Sequence, residues 1–281
     1  MNDTPPAAAP PPDEGMALSS PSEPSLAADS SGHPAVAADL AVPWDGVDLL
    51  VFAFFWLGTL AITLSVSADL VLLWTRQPAA ALESNARLYA ARLTLQQVIW
   101  LPLLMLYLGA VLRIRFGRPF WSGIGWRKYR AGKLTTGGTA LLFFFAGLVV
   151  QILFQIASVL VDTGQKLPIE RVFEDRLGAL ALSLLAVAGA PLVEETIFRG
   201  YVYPVLARRW GTGGGVAATG VVFGLLHAQQ LWGGWGHIAL LVLVGIIMTR
   251  IRASSGSVTP SFFFHLGYNA LIAIAQISAM A

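Results

Sequence analysis

Cysteine is absent from the whole chain. That excludes disulfide frameworks, thiolate metal sites, thiol nucleophiles and any prenyl or palmitoyl anchor on this chain. Charge is scarce as well, at 12 % of residues, about half the usual share in soluble domains. A net charge of +2 gives no footing for a nucleic-acid partner. No His-Glu-x-x-His helix occurs, which removes the commonest zinc-peptidase signature. Long stretches of alternating polar and apolar residues are missing too, so a membrane barrel is not expected.

What is present is hydrophobicity, 56 % of the chain. Six or seven stretches of about 15–28 apolar residues follow residue 46, long enough to cross a bilayer as helices. The expected fold is an all-α, polytopic transmembrane helical bundle of about seven spans with a disordered N-terminal tail. The expected spans run roughly over 47–74, 93–112, 135–161, 177–208, 213–230, 237–251 and 258–280. Residues 1–43 are rich in Pro, Ala and Ser and carry no Lys or Arg; such a segment has too little apolar surface to order itself. It lacks the basic start of a signal peptide, and His33 within it reads as a solvated bystander. Residues 44–281 form the membrane-embedded domain, with Trp44 and Trp74 as aromatic anchors of the first span. The loop "RIRFGRPFWSGIGWRKYRAGK" holds seven basic residues and no acid. The positive-inside rule places it, and with it the N-terminus, in the cytoplasm.

Within the spans, three clusters of polar residues stand out: Glu194, Glu195 and Arg199; His227; and His265 with Asn269. A charge at mid-bilayer costs roughly 2.5–3.5 kcal/mol on insertion scales, so such groups are functional candidates by default. Glu195 and Arg199 are one helical turn apart, acid first, the favourable order for an ion pair. Glu194 is rotated by about 100° and points elsewhere. His265 and Asn269 share a face, and Gly220, Gly224 and His227 form a stripe that admits a close neighbouring helix. At 1.5 Å per residue, Glu194 lies about 20 Å from Arg208, His227 about 16–21 Å into its span and His265 about 10 Å into its own. These depths let all three meet in one cavity, entered from the cytoplasmic side under the alternating topology.

A buried glutamate can act as general base for water, with His227 sharing the proton. His265 and Asn269 can donate hydrogen bonds to a developing oxyanion. This is the equipment for hydrolysing an amide. Glu194, His227 and His265 could instead hold Zn²⁺, which would acidify a bound water. Each residue also has a plainer reading: Glu195–Arg199 as a structural staple, His227 as a core histidine bonded to a carbonyl, Asn269 as interhelical glue. His237, in "WGGWGH", reads as an interface residue. Two other functions stay open, a non-catalytic scaffold or immunity protein and a proton-coupled transporter.

"EETIFRG", "FGLLH" (Phe223 to His227) and "HLGYN" resemble the three motifs EExxxR, FxxxH and HxxxN of the CPBP family, which includes CAAX proteases and bacteriocin-processing (Abi) proteins. The resemblance covers about residues 175–275. It implies an intramembrane endopeptidase of multi-helix fold, with Glu194 and His227 activating water, His265 and Asn269 forming the oxyanion site, and Glu195, Arg199 and Phe223 in support. No cofactor is favoured; zinc is the alternative. Expected partners are membrane lipids and a protein or peptide substrate, either prenylated or bacteriocin-like, in a bacterial inner membrane.

Overall fold

The computed structural model describes Met1 and residues 39–161 and 164–278, and among these residues there is no strand. The helices are α1 (Gly46–Thr75), α2 (Ala81–Ser84), α3 (Ala86–Ala110), α4 (Phe120–Gly123), α5 (Thr136–Val161), α6 (Arg176–Leu184), α7 (Ala190–Glu195), α8 (Tyr203–Leu225), α9 (Trp235–Ser255) and α10 (Val258–Ser278). Three π-helical turns, Val111–Arg115, Leu185–Gly189 and Thr196–Val202, continue helices without a break. Five continuous stretches are long and apolar enough to cross a membrane: Gly46–Thr75, Ala86–Arg115, Thr136–Val161, Arg176–Leu225 and Trp235–Ser255. The fourth is 50 residues long but does not run straight. At Gly211 the backbone takes φ 74° and ψ 167°, a region that side chains disfavour, and Gly215 then lies against the backbone of Ala207. The rod therefore folds back and crosses twice. α10, at 21 residues, is about 31 Å long.

The ends of these helices follow local chemistry. Asp45 caps α1, accepting the amides of Val47 and Asp48, while Asp48 accepts the amide of Asp45 in return. This capping box satisfies donors that the first turn leaves free. Asn85 caps α3 through the amides of Arg87 and Leu88. Asp175 caps α6 through the Gly178 amide at 2.8 Å and also binds Arg87 at 3.0 Å. The largest cause, the Gly178 N–H, holds the Asp175 carboxyl below the usual aspartate range, and Arg87 acts the same way.

Apolar side chains cover the outside as well as the inside. Leu73, Val159 and Leu160 are among many that are largely exposed, which water would penalise and lipid tails solvate. Tight helix contacts fill the interior instead. A β-carbon at Gly147 would meet the Phe264 carbonyl, and one at Gly267 would meet that of Phe144. The pair lets α5 and α10 touch backbone to backbone, as small residues do in lipid. Gly220 and Gly224 lie in the same way against Ile246 and Val242 of α9, as their spacing foretells.

Two assignments change at the N-terminal side. The expected tail lies almost wholly outside the described residues, but its last part, 39–43, is packed. Asp39 pairs with Arg252 at 2.7 Å, Arg208 donates to the carbonyls of Val42 and Trp44, and Leu40 is buried. Trp44 is not an interface anchor. It is 0 % exposed, stacks on Tyr201 at 5.1 Å and donates its indole N–H to the Tyr201 carbonyl at 2.8 Å. Trp74, 85 % exposed, remains at the surface as an anchor should.

Candidate active site

The site is built around α7, six residues long, with a π-turn on either side. A π-turn adds a residue to one turn and leaves a carbonyl unmatched. In the first, the Ala190 N–H reaches back to Leu185. The next residue, Pro191, has no N–H to give Ala186. Asn269 of α10 supplies the missing donor, its amide to Ala186 O at 2.7 Å. Asn269 therefore spends one of its two N–H bonds holding the bulge and keeps the other.

The second π-turn carries Arg199. Its guanidinium and the Glu195 carboxylate are both fully buried and 3.0 Å apart, as the four-residue spacing predicts. Arg199 also donates to Gly245 O at 2.9 Å and lies over the Phe223 ring at 4.7 Å. Glu195 is thus occupied. It takes a further bond from His265 Nδ1 at 3.0 Å. A carboxylate can only accept, so that nitrogen bears the hydrogen. The other ring nitrogen, Nε2, faces Glu194 Oε2 at 3.8 Å, beyond hydrogen-bond range. His265 therefore sits between the two glutamates.

His227 is fixed by the same logic from another element. Its Nδ1 meets Phe223 O at 2.8 Å, so Nδ1 donates and Nε2 is the nitrogen left outside that bond. The carbonyl-bonded reading of this residue is realised, yet it accounts for one nitrogen only. Phe223 stands between the imidazoles, 4.9 Å from His227 and 5.9 Å from His265 by ring centres, and forms the wall on which Arg199 rests.

Glu194, Phe223, His227, His265 and Asn269 all line one cavity of about 450 Å³, while Glu195 and Arg199 lie behind it. Within the lining Glu194 is the only acidic side chain among the described residues, with 21 % of its side chain exposed. For the zinc alternative, no group of three or more His, Asp or Glu side chains stands in ligand geometry among the described residues.

The direction of the cavity departs from expectation. From Glu194 it runs past Gln151 and Val244 to Ile169, Phe173, Gln230 and His237, the membrane face opposite the basic loop. Towards that loop the way is packed shut. Trp126 donates to Thr196 at 3.0 Å, Ile124 O abuts Gly200, Gly125 O receives the Val258 amide at 2.9 Å, and Arg127 O accepts from Ser257 and Thr259. The candidate residues converge as their depths allow, but they form the floor of a cavity opening away from residues 113–133.

Sequence reasoning missed several residues here. His237 lines the cavity from the first turn of α9. Gln97 on α3 and Gln151 on α5 line it too, each from well inside its helix. The available signal was the Gln151–Gln155 spacing, two amides one turn apart in an otherwise apolar helix.

Fold and site together define a class, an integral membrane protein with a carboxylate–imidazole centre buried in a helical bundle. Residues 176–271 match the family model described as type II CAAX prenyl endopeptidase Rce1-like. That segment holds every motif residue, and over it the chain is similar to that family. No curated protein and no solved structure matches the chain.

Proposed function

We propose that the chain is an intramembrane endopeptidase in which Glu194 activates a water for attack on a peptide carbonyl. The observation that carries this is the division between two adjacent glutamates. Glu195 is bound by Arg199 and His265, while Glu194 keeps a free carboxylate in the cavity. His227 Nε2, whose partner nitrogen is bonded to Phe223 O, is the second base on the same cavity. Glu194 takes the proton of the attacking water as its oxygen joins the carbonyl carbon. The oxyanion is met by the remaining N–H of Asn269 and by Nε2 of His265 when that nitrogen carries a proton. The proton then passes from Glu194, or through His227, to the leaving amine as the C–N bond breaks. No step calls on a metal.

The substrate class is a peptide or protein segment at the membrane, either a prenylated chain end, as the family description has it, or a bacteriocin-like precursor. With the basic loop inside, the N-terminus is cytoplasmic and the cavity mouth faces the outer side of a bacterial inner membrane. The test compares peptide fragments from wild-type membranes with those from Glu194→Gln and His227→Ala strains. Fragments that vanish in both variants are expected. Cleavage that survives both ends the assignment, and solute flux in proteoliposomes without any cleavage would favour a transporter.

A further inference from the structure

At the end of the bundle that carries the basic loop lies a second, smaller cavity, of about 70 Å³. That is several times the roughly 10–15 Å³ that one water needs, and it suits a single tetrahedral oxyanion. Three arginines line it from separate places in the chain. Arg118 precedes α4, Arg127 follows it, and Arg252 comes from the last turn of α9. Ser122 and Gly125 add to the same wall, and the segment 39–43 closes the remaining side. Against three guanidiniums stands one carboxylate. Asp39, the only acid of the lining among the described residues, pairs with the buried Arg252 at 2.7 Å. Arg118 and Arg127 are exposed and have no ion pair with any described residue. Two positive charges therefore border one small space uncompensated. Like charges brought together repel, and an anion in the cavity relieves that repulsion.

The donors indicate which anion. A guanidinium is a planar fork that meets phosphate oxygens two at a time. Forks coming from three elements suit a tetrahedral group better than a flat carboxylate, whose acceptor directions lie near one plane. Position indicates the source. Trp121, beside Ser122 in sequence, is 51 % exposed, and Ile114 at the end of the preceding helix is 83 % exposed. Tryptophan and aliphatic side chains laid bare next to arginines mark the depth of the lipid headgroups, where phosphate is the resident anion.

We propose that Arg118, Arg127 and Arg252 form a site for a phosphate group, supplied by the headgroup of an anionic lipid. Bound there, the phosphate ties the basic loop to α9 and to the segment 39–43. The site is separate from the catalytic cavity, and no described residue lines both. It does not depend on the chain being a peptidase.

The test uses the full chain in an uncharged maltoside detergent and isothermal calorimetry. It is titrated with short-chain phosphatidylglycerol, with the matching uncharged diacylglycerol and with inorganic phosphate. Phosphatidylglycerol is expected to saturate one site for which diacylglycerol does not compete. Arg118→Gln together with Arg127→Gln, exposed positions outside any ion pair, is expected to weaken that binding at least about tenfold. Arg113→Gln together with Lys133→Gln is the control. It removes the same charge from the same loop at exposed positions that do not line the cavity, and is expected to leave the affinity within about twofold. Equal weakening by the two pairs would mean a diffuse basic surface and no site, and overturns the proposal. So does the lack of saturable binding by either phosphate ligand. Binding of inorganic phosphate without any of phosphatidylglycerol upholds the phosphate site and overturns its lipid source.

Discussion

Replacing Arg199 by Met tests whether the core of the site is held electrostatically. Arg199 and Glu195 are both fully buried, with nitrogen and oxygen 3.0 Å apart. Unit charges about 4 Å apart at an effective dielectric near 20 attract by about 4 kcal/mol. Burying the two ions offsets much of that gain, so the intact pair contributes little net stability. Removing one partner is different. Arg199→Met leaves Glu195 charged and enclosed without its guanidinium partner, and strips Gly245 O of a donor. The expected loss is about 3–5 kcal/mol. Methionine keeps most of the volume against Phe223, so little of the loss arises from a cavity. The double variant Glu195→Gln, Arg199→Met removes both charges and should recover more than half of it. The assay is reversible unfolding in mixed micelles, followed by tryptophan fluorescence. A loss under about 1 kcal/mol for Arg199→Met, or a double variant worse than the single one, would show that this pair is not the staple described here.

Three further outcomes are expected. A zinc chelator at millimolar concentration should leave peptide cleavage unchanged; loss of cleavage that returns with added Zn²⁺ would replace the glutamate mechanism with a metal one. Asp175→Ala should cost about 0.5–2 kcal/mol at neutral pH through the lost cap on α6. Because the folded carboxyl titrates below its unfolded range, this contribution is fully present above the unfolded value, about 3.9, and is lost as pH falls through the folded one. A penalty unchanged at pH 2 would contradict that sign. The cysteine-free chain is a clean background for labelling: a membrane-impermeant maleimide should reach Gln230→Cys in intact cells and Lys128→Cys only after lysis. The reverse pattern would invert the topology and turn the cavity mouth to the cytoplasm.

The reach of the sequence can be argued from particular residues. The Glu195–Arg199 pair was legible because both lie on one helix, where geometry fixes neighbours at a spacing of four. The all-helical, membrane-spanning character was legible because lipid demands continuous apolar runs. Trp44 was not: it meets Tyr201 across 157 positions, and nothing local distinguishes a tryptophan that packs inward from one that floats at an interface. Asn269 lines the same cavity as Glu194, but its bond to Ala186 depends on a π-turn and on Pro191, a coincidence visible only once the two helices are side by side. The cavity-lining places of His237 and Gln151 were not legible for a simpler reason: which side of a helix faces a cavity is decided by the helices packed around it.

The direction of opening follows from how closely helices approach on each side. Gly147 and Gly267 close α5 on α10, and Gly220 and Gly224 close α8 on α9, while the basic loop plugs what remains through Trp126, Ile124 and Gly125. Further along, α5 presents Gln151, Gln155 and Ser158, α9 presents Leu241, Leu240 and His237, and the space between is filled by no side chain. Small residues draw two helix pairs together on one side of the membrane, and larger polar ones line the space on the other. A water molecule, which the bilayer core otherwise excludes, can then be held next to a carboxylate at depth, and amide hydrolysis in lipid needs that before any other condition.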